Sequence, residues 1–222
     1  MFKQVGTRGI FSLVPLMPYS GITGPLTEFL QSNPDLTLLQ RLHLCQDTIR
    51  AVQIVHEAGY IHGHLNPANI FIVKVEKRPE IQYHCQLWNF EKSVNENDDS
   101  SDMVYNRQET AFDAPEVKSK PHTNMAFEGL KQCDIFSLGV VLLFICGNGK
   151  IDAPGSPESN PNFYDTALER MVEQVAEDDE GFRRSIREMI LPMIGSLVKR
   201  DPAERERDLR SVGFVFRSKP GE

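Results

Sequence analysis

Cysteine is scarce in this chain, and its few residues are far apart. Cys45, Cys85, Cys133 and Cys146 form no C-x-x-C pair. Zinc knuckles and disulfide frameworks need paired or regularly spaced cysteines, so neither is expected. The thiols are predicted to be reduced, as in the cytosol. We therefore expect a cytoplasmic protein, and a nuclear location is also compatible with this composition.

Long apolar runs are lacking as well. The longest, Val140 to Cys146, is far shorter than the ~20 residues that span a bilayer. The first four residues, Met-Phe-Lys-Gln, do not have the apolar core of a signal peptide. The sequence therefore predicts neither secretion nor a membrane partner.

Positive charge is the third deficit. The 24 Lys and Arg residues are outnumbered by 31 Asp and Glu residues, which gives a net charge of -7. A generic nucleic-acid binder carries a basic surplus, so no nucleic-acid partner is expected. The chain does contain 222 residues, of which 40% are hydrophobic and 25% charged. This composition is sufficient for one sizeable core.

Helical patterns account for most of the chain. Thr37 and Gln40 form a capping box at the start of an amphipathic stripe that ends near Gly59. Residues 135–145 are apolar on nearly every face, which indicates a helix buried on all sides. Further helices are predicted over residues 26–30, 164–175, 182–197 with a kink at Pro192, and 203–212.

Strand patterns are fewer. Residues 10–17 predict a short strand at a sheet edge, because Pro15 lacks a backbone donor. Residues 70–75 and 81–88 predict a hairpin. The polar stretch 91–109 can bury little and predicts a mobile loop. Together these elements indicate an α+β fold that is mainly α.

A family resemblance becomes visible in the segment His62 to Asn69, which reads His-Gly-His-Leu-Asn-Pro-Ala-Asn. It resembles the catalytic loop of protein kinases, H-R-D-L-x-x-x-N. His62 and Asn69 match that pattern. Gly63 takes the place of the Arg, His64 that of the catalytic-base Asp, and Asn66 that of the usual Lys. The frame of the loop is kept, and the residues that carry its chemistry are changed.

Four further segments resemble kinase motifs in the family's order. These are Asn89-Phe90-Glu91 for D-F-G, Ala114-Pro115-Glu116 for A-P-E, Cys133 to Gly139 for the start of the buried kinase helix, and Arg200 to Arg205 for R-D-P-x-x-R. The resemblance implies one kinase-like domain over residues 1–222. Residues 18–216 would form the C-terminal lobe, and residues 1–17 would be a remnant of the N-terminal lobe sheet.

The resemblance also implies structural roles for charged residues. Glu116 would form a buried ion pair with Arg205, and Asp134 would bond to the backbone around His62 and Gly63. Breaking one partner of such a buried pair costs about 3–5 kcal/mol. Residues of this kind hold the kinase lobe together, and they are retained here.

Phe90 would pack over His62, and the side chain of His64 would face solvent. A metal site built from His56, His62 and His64 is the alternative reading of these histidines. The family's loop already explains their spacing, so we expect no metal.

Phosphoryl transfer requires parts that this sequence does not supply. It uses a Gly-rich loop, a strand Lys, a metal-binding Asp and an Asp that orients the hydroxyl. The first two have no room upstream of residue 10, and Asn89 and His64 replace the two Asp residues. We therefore expect a catalytically inactive, pseudokinase-like module without a cofactor. ATP and Mg²⁺ would bind only if an N-terminal lobe lies upstream.

A binding function requires a partner surface. In a complete kinase the strand near residue 14 and the hairpin strand near Phe71 lie against the upper lobe and the adenine. Val14, Leu16 and Phe71 are therefore the candidate interaction surface, and the expected partner is a kinase or another signalling protein.

Two alternatives stay open. The chain could be the C-terminal portion of a longer serine/threonine-kinase-like protein that binds ATP through an upstream lobe, with weak or no phosphotransfer. It could also be an allosteric activator that docks a true kinase through the helical face at residues 164–175.

Overall fold

The computed structural model describes residues 2–5, 12–15, 21–74, 83–97, 110–119, 125–160, 162–173, 184 and 186–215. Within these residues the strands are β1 (Phe2–Val5), β2 (Ser12–Pro15), β3 (Ile22–Pro25), β4 (Tyr60–Ile61), β5 (Ile70–Lys74), β6 (Tyr83–Leu87) and β7 (Val94–Asn95). The α-helices are α1 (Leu26–Ser32), α2 (Leu38–Glu57), α3 (Pro115–Ser119), α4 (Phe127–Cys146), α5 (Phe163–Glu173), α6 (Leu191–Leu197) and α7 (Leu209–Val215). The fold is mainly helical, with small sheets, as predicted.

Helix α2 begins at the predicted capping box. The Thr37 hydroxyl accepts the Gln40 backbone N–H at 3.2 Å, and the Gln40 side-chain oxygen accepts the Thr37 N–H at 2.9 Å. The helix is followed by Gly59, which has a φ of +74° that favours glycine. The predicted apolar stripe is buried at Leu42, Cys45, Ile49, Val52 and Val55.

Helix α4 is the central element of the core. It is buried almost continuously from Leu130 to Cys146. Its length and hydropathy are those of a membrane span, but 83% of its apolar window is buried inside the protein. Burial on all sides by other protein elements explains why its sequence shows no polar face.

The predicted hairpin is present as β5 and β6. These strands are antiparallel, with Ile70 opposite Leu87 and Ile72 opposite Cys85, and β3 pairs with the other edge of β5. The Cys85 thiol lies 3.5 Å from the Leu44 carbonyl oxygen, so this face of the sheet lies against α2. Alternate β5 residues are buried, as period-two patterning requires.

The N-terminal strands form a separate two-stranded sheet. β1 and β2 are antiparallel, with Phe2 opposite Pro15 and Val5 opposite Ser12. One edge of β2 is therefore paired with β1, as the prediction of a short strand at a sheet edge requires. The side chain of Val14 and the whole of Leu16 lie outside the described residues.

The prediction of one mobile loop over residues 91–109 was wrong at its start. Phe90–Lys92 form a 3₁₀ turn, and Val94 and Asn95 form β7, which pairs with β4. Hydrogen bonding to β4 and the burial of Val94 against Ile61 and Leu130 order this largely polar segment. Residues 98–109 lie outside the described part of the chain.

One helix prediction near the C-terminus also needs correction. The helix predicted over residues 203–212 is a 3₁₀ turn at Pro202–Glu204 followed by α7, because Arg205 is extended with a φ of -73° and a ψ of 145°. The predicted interruption near Pro192 is present: a π-helical turn at Ile186–Ile190 precedes α6, and Pro192 occupies the first turn of α6. A proline, which lacks a backbone N–H, is tolerated in the first turn because an N–H at that position would have no intrahelical partner.

One ion pair joins α3 to the C-terminal region. The Arg205 guanidinium donates to both carboxylate oxygens of Glu116, at 2.5 and 2.8 Å. The Arg205 side chain is fully buried and that of Glu116 is 20% exposed. Arg205 also donates to the carbonyl oxygens of Gln132, Lys199 and Arg200. Arg205 therefore connects three segments of the fold: α3, the first turns of α4, and the residues that follow α6.

We expect Glu116→Ala and Arg205→Ala each to reduce the free energy of unfolding by about 3–5 kcal/mol, because each leaves a buried charge unpaired. Arg205→Ala should reduce the free energy of unfolding more than Glu116→Ala does, since it also leaves three carbonyl oxygens without their donor. The double variant should cost less than the sum of the two. Urea denaturation of the four proteins measures these values.

The exposed pair Glu57–Arg210 is the matched control. Its side chains are 45% and 73% exposed, and its N···O distance is 2.9 Å. The same two alanine substitutions there should cost less than about 1 kcal/mol each. Equal losses at the two pairs would contradict the structural role of Glu116 and Arg205.

Candidate functional site

The segment at residues 62–69, between β4 and β5, is fixed by the Asp134 side chain of α4. Asp134 accepts the backbone N–H groups of His62 at 2.7 Å and of Gly63 at 3.0 Å. The same carboxylate lies 3.1 Å from Nε2 of His56 on α2. Asp134 is only 2% exposed. One buried carboxylate therefore joins α2, α4 and the loop.

Opposing effects act on the ionisation of Asp134. Burial alone would raise the pKa of its carboxyl, but the hydrogen bond and charge of His56, together with His62, lower it below its ordinary value. A lowered pKa means that the carboxylate stabilises the fold at neutral pH. This contribution is lost as the pH falls through the lowered pKa.

His62 is held as a neutral ring. Its Nε2 lies 2.8 Å from the Trp88 carbonyl oxygen, to which it donates, and its Nδ1 accepts the His64 N–H at 3.2 Å. Burial lowers the pKa of His62, which favours this uncharged form. Its ring packs against Phe90 with the centroids 4.8 Å apart. The predicted contact between His62 and Phe90 is thus present.

Gly63 stands where the kinase pattern has arginine, and the backbone explains why a side chain does not fit. Its φ is +73°, and a Cβ atom placed there would lie 2.3 Å from the Lys92 carbonyl oxygen. Any L-residue would therefore meet both an unfavourable φ and a backbone clash. The loop and the segment that follows Phe90 approach each other too closely for anything but glycine.

That close approach is held by hydrogen bonds. Tyr60 and Ile61 in β4 pair with β7, and the Ser93 hydroxyl donates to the Ile61 carbonyl oxygen at 2.7 Å. The Glu96 N–H donates to the Gly59 carbonyl oxygen at 2.9 Å. Residues 93–96 are thus tied to the strand that leads into the loop.

The amide side chains of the loop are used locally. Asn69 and Asn66 both donate to the His64 carbonyl oxygen, at 2.8 and 3.2 Å. The Asn66 side-chain oxygen accepts the Ala68 N–H at 3.0 Å and begins the 3₁₀ turn Pro67–Asn69. Asn66 therefore acts as a cap in the place where the kinase pattern has lysine.

Asn89 completes the candidate site. It adopts a left-handed φ of 60°, and its side-chain nitrogen lies 3.3 Å from the Asn69 side-chain oxygen. The two positions that resemble the kinase metal ligands thus hold neutral amides that bond to each other. Asn69 is unchanged from the kinase pattern, which has an asparagine at that metal position. Mg²⁺ prefers carboxylate ligands, and Asn89 does not supply the carboxylate of that pattern, so the donor at residue 89 does not fit a Mg²⁺–nucleotide centre.

The histidines of the loop do not form a metal site. Both ring nitrogens of His62 contact the backbone, and His56 faces Asp134. Among the described residues, no group of three or more His, Cys, Asp or Glu side chains is placed to hold a metal ion. His64 is half-buried, so it is less exposed than a fully solvent-facing side chain would be.

Sequence reasoning missed one aromatic contact at the site. The Trp88 ring packs on Phe71 with the centroids 5.0 Å apart, and both residues are half-buried. The backbone N–H of Trp88 donates to the Asn69 carbonyl oxygen at 2.8 Å. The signal was available in the hairpin register, since Trp88 directly follows Leu87, which is opposite Ile70.

We expect Gly63→Ala to reduce the free energy of unfolding by at least about 2 kcal/mol, from the strained φ and the clash with Lys92. Gly129→Ala in α4 is the matched control, because a Cβ there would meet only Met125 at 3.8 Å. It should be neutral or stabilising by up to about 1 kcal/mol. Chemical denaturation compares the two, and equal effects would contradict the close approach at Gly63.

Comparison with known proteins identifies the family of the chain. The family model described as "Protein kinase domain" matches residues 15–207. No curated protein matches the chain. The crystal structure of the Rad53 kinase domain and SCD2 superposes with a TM-score of 0.59 and 16% sequence identity, over 89% of this chain. That identity shows the fold alone, and the match spans 64% of the Rad53 chain. Because the family model covers most of the residues, the chain belongs to the protein kinase family.

Proposed function

We propose that the chain is a pseudokinase module, which keeps the kinase-like fold and acts by binding another protein rather than by transferring phosphate. The observation that carries this proposal is Asn89, which takes the place of the metal-binding Asp and whose side-chain nitrogen lies 3.3 Å from the Asn69 side-chain oxygen. Catalysis of phosphoryl transfer depends on positioning and on charge neutralisation by metal ions. A neutral amide that occupies the oxygen of the remaining metal-ligand residue supplies little of either.

The loop supports the same proposal through His64. This residue takes the place of the carboxylate that orients the substrate hydroxyl, and its imidazole brings no fixed negative charge. Its backbone N–H and carbonyl oxygen are both used within the loop, by His62, Asn66 and Asn69. His64 thus belongs to a self-contained hydrogen-bonded turn.

Partner, cofactor and location belong to the same proposal. We propose a protein partner of the kinase or signalling class, no cofactor, and a cytoplasmic or nuclear location. The rival function is that of the C-terminal portion of a longer serine/threonine-kinase-like protein that binds ATP through an upstream lobe. Transcript mapping upstream of Met1, followed by a thermal shift of any extended protein on adding ATP with Mg²⁺, separates the two, because a ligand that binds the native state raises the melting temperature.

The purified chain, incubated with labelled ATP, Mg²⁺ or Mn²⁺ and generic protein substrates, is expected to transfer no phosphate above a mock preparation. The physical reason is the absence of carboxylate charge at residues 64 and 89. His64→Asp with Asn89→Asp should also be inactive in this chain, since the phosphates would still lack a lid and a lysine. Autoradiography or mass spectrometry measures the product.

His43→Ala is the matched control for this assay, because His43 lies on α2 outside the loop. Turnover that is lost in His64→Ala and kept in His43→Ala would overturn the proposed inactivity. Turnover that survives both substitutions would point to a contaminating kinase.

The proposed partner surface includes Phe71, Val14 and Leu16. Phe71 is half-buried on the face of β5 opposite the core residues Ile70 and Ile72. In the described residues β2 has a strand partner, β1, on one edge alone. A strand or helix from a partner would cover this aromatic face and the second edge of β2.

We expect the isolated chain to self-associate or to purify with a bound protein, and Phe71→Asp to weaken that association without unfolding the helical core. Ile54→Asp on α2 is the matched control, because it adds the same charge at another exposed apolar residue, 43% exposed. Light scattering and far-UV circular dichroism measure the two effects. A stable monomer at tens of micromolar, with residues 10–17 protected from hydrogen exchange, would contradict the proposed surface.

A further inference from the structure

A groove of about 740 Å³ lies between α5 and α6, apart from the loop described above. Its apolar lining comes from Leu168 on α5 and from Leu191, Pro192 and Gly195 on α6. At Gly195 the two helices approach closely, because a Cβ there would be in van der Waals contact with Leu168 Cδ1 at 3.8 Å. The missing side chain leaves the floor of the groove shallow and apolar.

The α5 rim of this groove is acidic. Asp165 and Glu169 line it, both are exposed, and they are four residues apart on one helix. Glu173 continues the row by a further turn. Such a spacing places the carboxylates on one face, about 6 Å from one another. Within the described part of the chain, neither Asp165 nor Glu169 makes an ion pair.

The opposite rim carries one cation, Lys199, which is exposed. The two sides of the groove therefore differ in the sign of their charge, and carboxylates are in excess. The whole chain is also acidic, with a net charge of -7. A basic partner would be attracted at long range and would find complementary charges at the groove.

From this combination we infer that the α5–α6 groove docks a basic amphipathic helix of a partner protein. An apolar residue of that helix would pack on Leu191, Pro192 and Gly195, and Lys or Arg residues spaced by four would face Asp165 and Glu169. Docking of an amphipathic helix by its apolar face is a recurring mode of recognition. The inference deepens the proposed binding function, on which it rests, by giving the partner a chemistry.

The test uses the full chain and two fluorescein-labelled peptides of about 18 residues, long enough to be helical. One carries Leu on one face and Lys on the other, and the second has Glu in place of every Lys. Fluorescence anisotropy should show the Lys peptide binding at least about tenfold more tightly at low salt, and this preference should shrink as salt is added.

Variants locate the binding. Asp165→Asn with Glu169→Gln should weaken binding of the Lys peptide about three- to tenfold. Glu28→Gln with Asp35→Asn is the matched control, because it removes the same two charges from exposed positions on and after α1. That control should change the affinity less than twofold. Gly195→Leu should block the groove, and a thermal melt checks that the variant still folds.

Equal weakening by the two charge variants would mean binding by net charge alone, and it would overturn the inference. Tighter binding of the Glu peptide would overturn it as well, as would unchanged binding in a folded Gly195→Leu protein. These outcomes are independent of the phosphotransfer assay. An inactive chain that fails the peptide test keeps the proposed function and loses this groove as its docking site.

Discussion

The arrangement of the candidate site depends on a single buried carboxylate. Asp134 accepts backbone N–H groups from His62 and Gly63 and faces His56, so its position determines that of the loop relative to α2 and α4. Its own position is fixed, because α4 is packed on all sides. Removing the carboxylate would leave buried donors unpaired, at a cost of about 1–3 kcal/mol each. The loop is therefore held by a part of the molecule that takes no part in chemistry.

The residues that hold the loop differ in burial from those that depart from the kinase pattern. The retained residues, Asp134, Glu116 and Arg205, are buried or nearly so, and each has a partner that would become unpaired without it. His64 and Asn89 are more accessible, and a change there leaves no buried charge behind.

The same contrast decides what could be predicted from the sequence. Helix α2 was predictable because its capping box and its apolar stripe are local sequence patterns. The contact between Glu116 and Arg205 was predictable because the family resemblance connects these distant residues. The β4–β7 pair was not, since two-residue strands carry no periodic pattern. Gly63 was visible as a substitution, but its cause is the Lys92 carbonyl oxygen, which lies 29 positions later in the chain. The break between the Pro202–Glu204 turn and α7 depends likewise on a distant contact, because Arg205 is extended and bonds to Glu116.

Gly63 also changes how the following segment is held. In the kinase pattern this position is an arginine, which can receive a phosphate from the activation segment and order it through charge. Here the contacts of residues 93–96 with β4 and Gly59 are hydrogen bonds between uncharged groups. Their strength does not depend on added negative charge. A phosphate farther along the chain would find no arginine at residue 63, so it would not order the segment through a charge at that position.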